Sequence, residues 1–153
     1  MAARYRRTDE LLSLQKPAEE RVHHDELLFQ TVHQSSELWL KLATTEVDEA
    51  AALLERGGVA PTIRLMRRAV LSLQYVTTQL DMLNQMSPWE YHEIRVVLGH
   101  GSGFDSPGFR RVPGVTQRAS RAFDRLLQQA GLTLADLYMH GLSTRISTSS
   151  PSS

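Results

Sequence analysis

Phe29, His33 and Ser36 stand four and three residues apart in a run free of helix breakers. A helix there stacks a phenyl ring, an imidazole and a hydroxyl along one stripe. Most inward stripes are purely aliphatic, so an imidazole on one needs a reason. Buried, it requires a hydrogen-bond partner. A ligand N–H would serve, and so would a backbone carbonyl in an ordinary core. Tyr91 and Arg95 repeat the four-residue spacing further along. The planar guanidinium suits a carboxylate, while the phenol offers an aromatic wall or a donor. The alternative is an exposed arginine beside a half-buried tyrosine. His33 and Glu37 have the spacing of a helical metal pair, yet no H-E-x-x-H or Glu-x-x-His motif accompanies them, which disfavours a non-haem metal site.

Gly99, Gly101 and Gly103 follow a helical pattern. A dinucleotide or phosphate loop must follow a strand, so these glycines are no nucleotide fingerprint. Small residues there let backbone amides approach a ligand, with Ser102 as a donor, or else form a plain connector. Serine hydrolysis lacks its G-x-S-x-G elbow.

Helical periodicity dominates, and no run of alternating β-branched residues appears, so the fold class is all-α, a helical bundle. The spacing predicts a short helix over Asp9–Gln15 and a long one from about His24 to Arg56, ended by Gly57-Gly58. Pro61 opens the next, with Ile63, Met66, Val70, Leu73, Thr77 and Leu80 on one side and an end near Met86. Ser87-Pro88-Trp89-Glu90 is a capping box that starts a helix closing at Gly99. A loop over Gly99–Arg111 leads past Pro113-Gly114 to a helix over Val115–Ala130. Thr133 with Asp136 caps a last one to about His140. Residues 1–142 are expected to form one domain, and the Ser/Thr-rich 143–153 a disordered tail. A helix of about 33 residues spans roughly 50 Å, against a radius of gyration near 15 Å for a globule of this length. It would overhang a monomer, which points to a homo-oligomer.

Lysine plus arginine equals aspartate plus glutamate at 17 each, so no net field favours nucleic acid or an acidic membrane. Cysteine is absent, which removes disulfides, thiolate metal sites and a cysteine nucleophile. No segment reaches the ~18 apolar residues of a membrane span, and no apolar leader is visible. A cytoplasmic protein is expected.

Together these segments resemble the tryptophan 2,3-dioxygenase superfamily. HHDELLFQTVHQSSELWLKL is similar to that family's most recognisable helix, and SPWEYHEIRVVLGHGSGFDSPGFR to its second signature. YRRTDELLSLQ resembles its N-terminal segment, so the likeness runs from about Tyr5 to Arg110. The resemblance implies a haem-dependent oxygenase (haem b) acting on L-tryptophan or a related indole amino acid, built as an intertwined dimer or tetramer. Phe29 and Tyr91 would line the aromatic pocket, His33 would accept the indole N–H, and Arg95 would clamp the carboxylate. Ser102 would lie in the loop over the haem edge, and Tyr5 would reach an active site, a neighbour's included. Family members continue well beyond this length, and their later half supplies the axial histidine. After Arg111 the likeness stops. His140 is the one histidine left there, either a displaced axial ligand or a surface residue at a helix end; His100 is a second candidate. Gly101 stands where the family has serine. Two other readings stay open: a haem-free enzyme on an aromatic amino-acid derivative, and a non-catalytic binding or partner protein.

Overall fold

The computed structural model describes residues 5–98 and 106–139. Every described element is helical: α1 (Thr8–Leu12), α2 (Glu26–Glu55), α3 (Val59–Gln79), α4 (Pro88–Leu98), α5 (Pro107–Gln129) and a last turn, α6 (134–139). Short 3-10 segments occupy Ala18–Glu20 and Leu80–Gln85. Among the described residues no helix is long and apolar enough to cross a membrane.

The axis of the fold is α2, thirty residues without glycine or proline. It stops where Gly57 takes φ +78, a conformation open to glycine. There Gly57 N–H donates to the Leu54 carbonyl at 3.0 Å and Gly58 N–H to that of Leu53 at 2.8 Å, the paired bonds of a Schellman ending. The chain turns at once into α3, and α3 and α5 both pack along α2.

The core is made mostly of small side chains. Ala43, Val47, Ala51 and Leu54 of α2 meet Ala69 of α3 and Ala119 and Ala122 of α5, with Phe123 and Leu126 against them. Small residues let helix backbones approach closely, and that choice decides which face of α3 turns inward. The buried face is Thr62, Leu65, Ala69, Ser72 and Val76. The bulkier side predicted as one stripe lies outside: Ile63 is 49% and Val70 52% exposed. With Val47, Leu54, Met66 and Phe123 these two line an open apolar groove of about 810 Å³.

Several boundaries differ from the sequence expectation. The first helix ends at Leu12 rather than Gln15. The chain past Gln79 tightens into a 3-10 segment before the Ser87-Pro88 step, where the residue ahead of proline is held out of the helical region. The largest difference is α5, which begins at Pro107 instead of Val115 and carries Pro113 within it. Its start is fixed by local capping and by contact with α2. Ser106 accepts the Phe109 N–H at 3.1 Å, Pro107 follows as first helical residue, and Gly108 packs against Leu40 so tightly that an added Cβ would lie 2.6 Å from the Leu40 Cβ. The two boxes expected from sequence are present. Ser87 N–H donates to the Glu90 carboxylate at 2.6 Å, and Thr133 N–H to that of Asp136 at 2.8 Å.

Candidate functional site

The inward stripe of α2 is covered by α3 and α5 only from about Val32 onward. Phe29 and His33, near its amino end, emerge from that cover half-buried and exposed respectively. Their rings stack with centroids 5.9 Å apart and planes 10° from parallel. Across from them stands Tyr91 of α4, whose ring centre lies 6.3 Å from that of Phe29 at 48°. The capping box and Pro88 start α4, and Ile94, the one buried residue among its described side chains, seats it. Arg95 follows Tyr91 by one turn on the same helix and is exposed. The result is an open aromatic surface of three rings, one an imidazole, with a guanidinium on the helix that supplies Tyr91.

Ser36 does not join it. Its hydroxyl is buried, donating to the Val32 carbonyl at 2.7 Å and accepting from the Gln79 amide of α3. Tyr5 is 90% exposed. Ser102, His100 and His140 lie outside the described residues, as does the tail from Ser143.

Glu37 has the spacing of a metal pair with His33, but its oxygens are engaged elsewhere. One accepts the Ser106 hydroxyl and the other the Gly108 N–H at 3.0 Å, so the carboxylate caps the amino end of α5. Negative charge is favourable there because the first N–H groups of a helix have no partners within it. Among the described residues no cluster of three metal-ligating side chains occurs. Sequence reasoning missed this cap, although Ser106-Pro107 carries the signature of a helix start.

A second stripe of α2 holds the N-terminal segment beside the rings. Gln30 accepts the Lys16 N–H at 2.9 Å, and Gln34 accepts from the Gln15 amide at 2.6 Å. Glu26, 4% exposed, takes the Lys16 ammonium at 3.0 Å and the Val22 N–H at 2.9 Å. Burial pushes the Glu26 carboxyl up, but the Lys16 ammonium and the Val22 N–H outweigh it and hold it below the ordinary glutamate range. The stabilisation is therefore present at neutral pH and lost as pH falls through that lowered value. The Val22 amide resonance is expected to stay constant through neutral pH and to move only in acid, below the ordinary glutamate range. In Glu26→Gln that step should vanish; its persistence would assign it to another group.

A family model described as tryptophan 2,3-dioxygenase matches residues 2–123. Relatives carrying that name include one from Xanthomonas campestris pv. campestris, 43% identical over 108 residues, which are 71% of this chain and 36% of the relative. Another, from Caulobacter vibrioides, is 44% identical over 108 residues, 71% of this chain and 40% of its own length. A third, from Xanthomonas oryzae pv. oryzae, is 42% identical over 108 residues, 71% of this chain and 36% of its own length. The chain thus covers well under half of these relatives. The ring cluster, Arg95 and the Glu37 cap all fall within the stretch that the family model matches, and this chain belongs to the tryptophan 2,3-dioxygenase family.

Proposed function

We propose that this chain supplies the substrate-binding side of a haem-dependent oxygenase of the tryptophan dioxygenase type, acting on L-tryptophan or a related indole amino acid. The observation that carries the reading is the Phe29–His33–Tyr91 cluster at the uncovered end of α2. An indole would lie against the Phe29 and Tyr91 rings. The imidazole of His33, kept in plane by Phe29, would accept the indole N–H and could hold that proton during the reaction. Arg95 would take the carboxylate through two parallel N–H bonds, fixing which ring edge faces the reacting centre. The residues present would suit the substrate side of a haem pocket: aromatic and open, with the Glu37 oxygens turned to Ser106 and Gly108. When bound, haem would supply the oxygen activation, and in this reading His140 would hold its iron.

Self-association belongs to the same proposal. The thirty residues of α2 extend about 45 Å, and the groove beside Ile63 and Val70 leaves apolar surface uncovered. A strictly monomeric mass by light scattering would exclude it. A binding module completed by another polypeptide is the second reading, favoured by the exposure of His33.

The test is a titration of haem-supplemented protein with L-tryptophan, read by absorbance and calorimetry. The native chain should show a Soret band that tryptophan perturbs, and His140→Ala should lose the band. Arg95→Ala should keep it and bind tryptophan more weakly by about 1.5–3 kcal/mol. A colourless protein that ignores tryptophan would end the proposal; tryptophan binding without haem would leave the binding module.

A further inference from the structure

From the spacing of the apolar residues on the outer side of α3, we propose that this helix is a self-recognition seam, on which a second copy of the chain docks its own α3 antiparallel. The inference gives a surface to the self-association already proposed and rests on that part of the reading alone. Ile63, Met66, Val70, Leu73, Thr77 and Leu80 follow one another at steps of three, four, three, four and three residues. That alternation is the seam of a coiled coil, which is completed by a partner helix with the same repeat. All six are exposed, whereas α3 meets α2 through a different set centred on Ala69. A single exposed apolar residue needs no explanation, but a continuous stripe does.

The stripe borders a vacancy that has the shape of a helix. α3 and α5 each pack along α2 and have little contact with each other, so three corners of a bundle are filled and the fourth is open. The open corner is the groove of about 810 Å³, floored by Val47 and Leu54 of α2 and walled by Ile63, Met66 and Val70 on one side and Phe123 on the other. A smaller hollow of about 330 Å³ beside Val70, Leu73 and Thr77 continues it toward the end of α3. No described residue of α1, α4 or α6 lines either. A groove between two helices accepts the apolar face of a third.

Antiparallel pairing makes the stripe complementary to itself. Ile63 then meets Leu80 of the second copy, Val70 meets its Leu73, and Thr77 meets its Met66, with the two-fold axis between Leu71 and Ser72. Every position of the stripe is used, and a contact of this symmetry closes at two copies. Charge selects this direction over the parallel one. Arg64 and Arg67 have no ion partner among the described residues, while Arg68 is held by Glu46. Parallel helices would set these arginines level with their copies. Antiparallel helices set them against the half of the second α3 that carries no lysine or arginine and is followed by Asp81, where the terminal carbonyls also favour positive charge.

The experiment is light scattering of the full chain, without haem or tryptophan, over a range of concentrations. The native chain should run as a dimer and Val70→Glu as a monomer. That variant sets a carboxylate in both central layers, and the dissociation constant should rise at least about a hundredfold. Its circular dichroism should stay unchanged, because Val70 is exposed in the single chain. Spin labels read the direction, since the sequence has no cysteine to interfere. A label at Leu71→Cys lies beside the axis, and one at Arg64→Cys lies seven residues away on the same side of the helix. Between copies, the labels at 64 should be farther apart than those at 71 by about 20 Å along the helix. Equal separations would mean parallel helices and overturn the proposal. An assembly that keeps its mass in Val70→Glu associates through another surface, which overturns this inference and leaves self-association standing. A monomer at every concentration removes both. Neither measurement involves haem or tryptophan, so a failure of the oxygenase reading cannot be mistaken for a failure of the seam.

Discussion

Gly108→Ala is expected to destabilise the protein by about 3 kcal/mol, a fall in Tm of about 10 °C. The new methyl would lie 2.6 Å from the Leu40 Cβ and 2.9 Å from the Leu40 Cδ1 and a Glu37 oxygen. A flexible side chain can give way, but the nearest atom is a Cβ fixed to the backbone of α2. Leu40 has no solvent exposure into which it could swing. The overlap must therefore be relieved by α5 moving off α2, which also stretches the Gly108–Glu37 bond of 3.0 Å. A further control follows from the atom concerned. Leu40→Ala keeps the offending Cβ and should not rescue Gly108→Ala, whereas Leu40→Gly should restore the close approach at its own cost in core packing. Thermal melts of the single and double variants decide the matter. Rescue by Leu40→Ala would show that the branched end of the side chain, not its Cβ, is the obstacle.

Ile94→Ala is expected to cost about 2–4 kcal/mol in the seating of α4 and, under the proposed function, to abolish tryptophan binding while leaving the α2–α3–α5 core folded. Ile94 is 1% exposed, and every other described side chain of α4 is exposed or only half-buried. Val47, Ala69 and Ala119 belong to a core cluster drawn from α2, α3 and α5 that does not include Ile94. Amide exchange should rise across residues 88–98 with little change in residues 40–54. Equal loss of protection in both would mean that α4 unfolds only with the whole molecule. Ile94→Val, which removes one methylene, should show the same pattern more weakly.

What could be read from the sequence was whatever neighbouring residues decide among themselves. The extent of α2 follows from an unbroken helical run closed by Gly57-Gly58, and it is met within two residues at each end. The boxes at Ser87–Glu90 and Thr133–Asp136 are three-residue relationships, and both are present. Phe29 and His33 meet because helical spacing brings them together. What could not be read was settled by partners distant in the chain. Pro113-Gly114 reads as a break, yet α5 runs through it, anchored upstream by Glu37 and Leu40. The side of α3 carrying Ile63 and Val70 looks the more hydrophobic, but Ala69 and Ser72 turn inward because small residues allow α2 to come close. Ser36 lies on the same stripe as His33 and was grouped with it; Gln79 of α3 claims its hydroxyl. Glu37 was weighed as a ligand because its spacing to His33 was visible, while Ser106 and Gly108 were far along the chain.

The abrupt two-glycine ending of α2 also bears on how the molecule comes together in time. Helices joined by so short a connection meet after a brief conformational search, because closing a small loop sacrifices little chain entropy. Pairing of α2 with α3 draws on residues close in sequence, whereas Phe29 must wait for Tyr91 to arrive across the intervening hairpin. The aromatic surface is thus the late arrival during refolding. Two tryptophans stand on the two sides of this division: Trp39, its ring centre 4.8 Å from that of Tyr75 within the hairpin, and Trp89, 81% exposed on α4. Fluorescence from Trp39 should therefore settle before that from Trp89, so that hairpin assembly and the completion of the aromatic surface register as separate clocks.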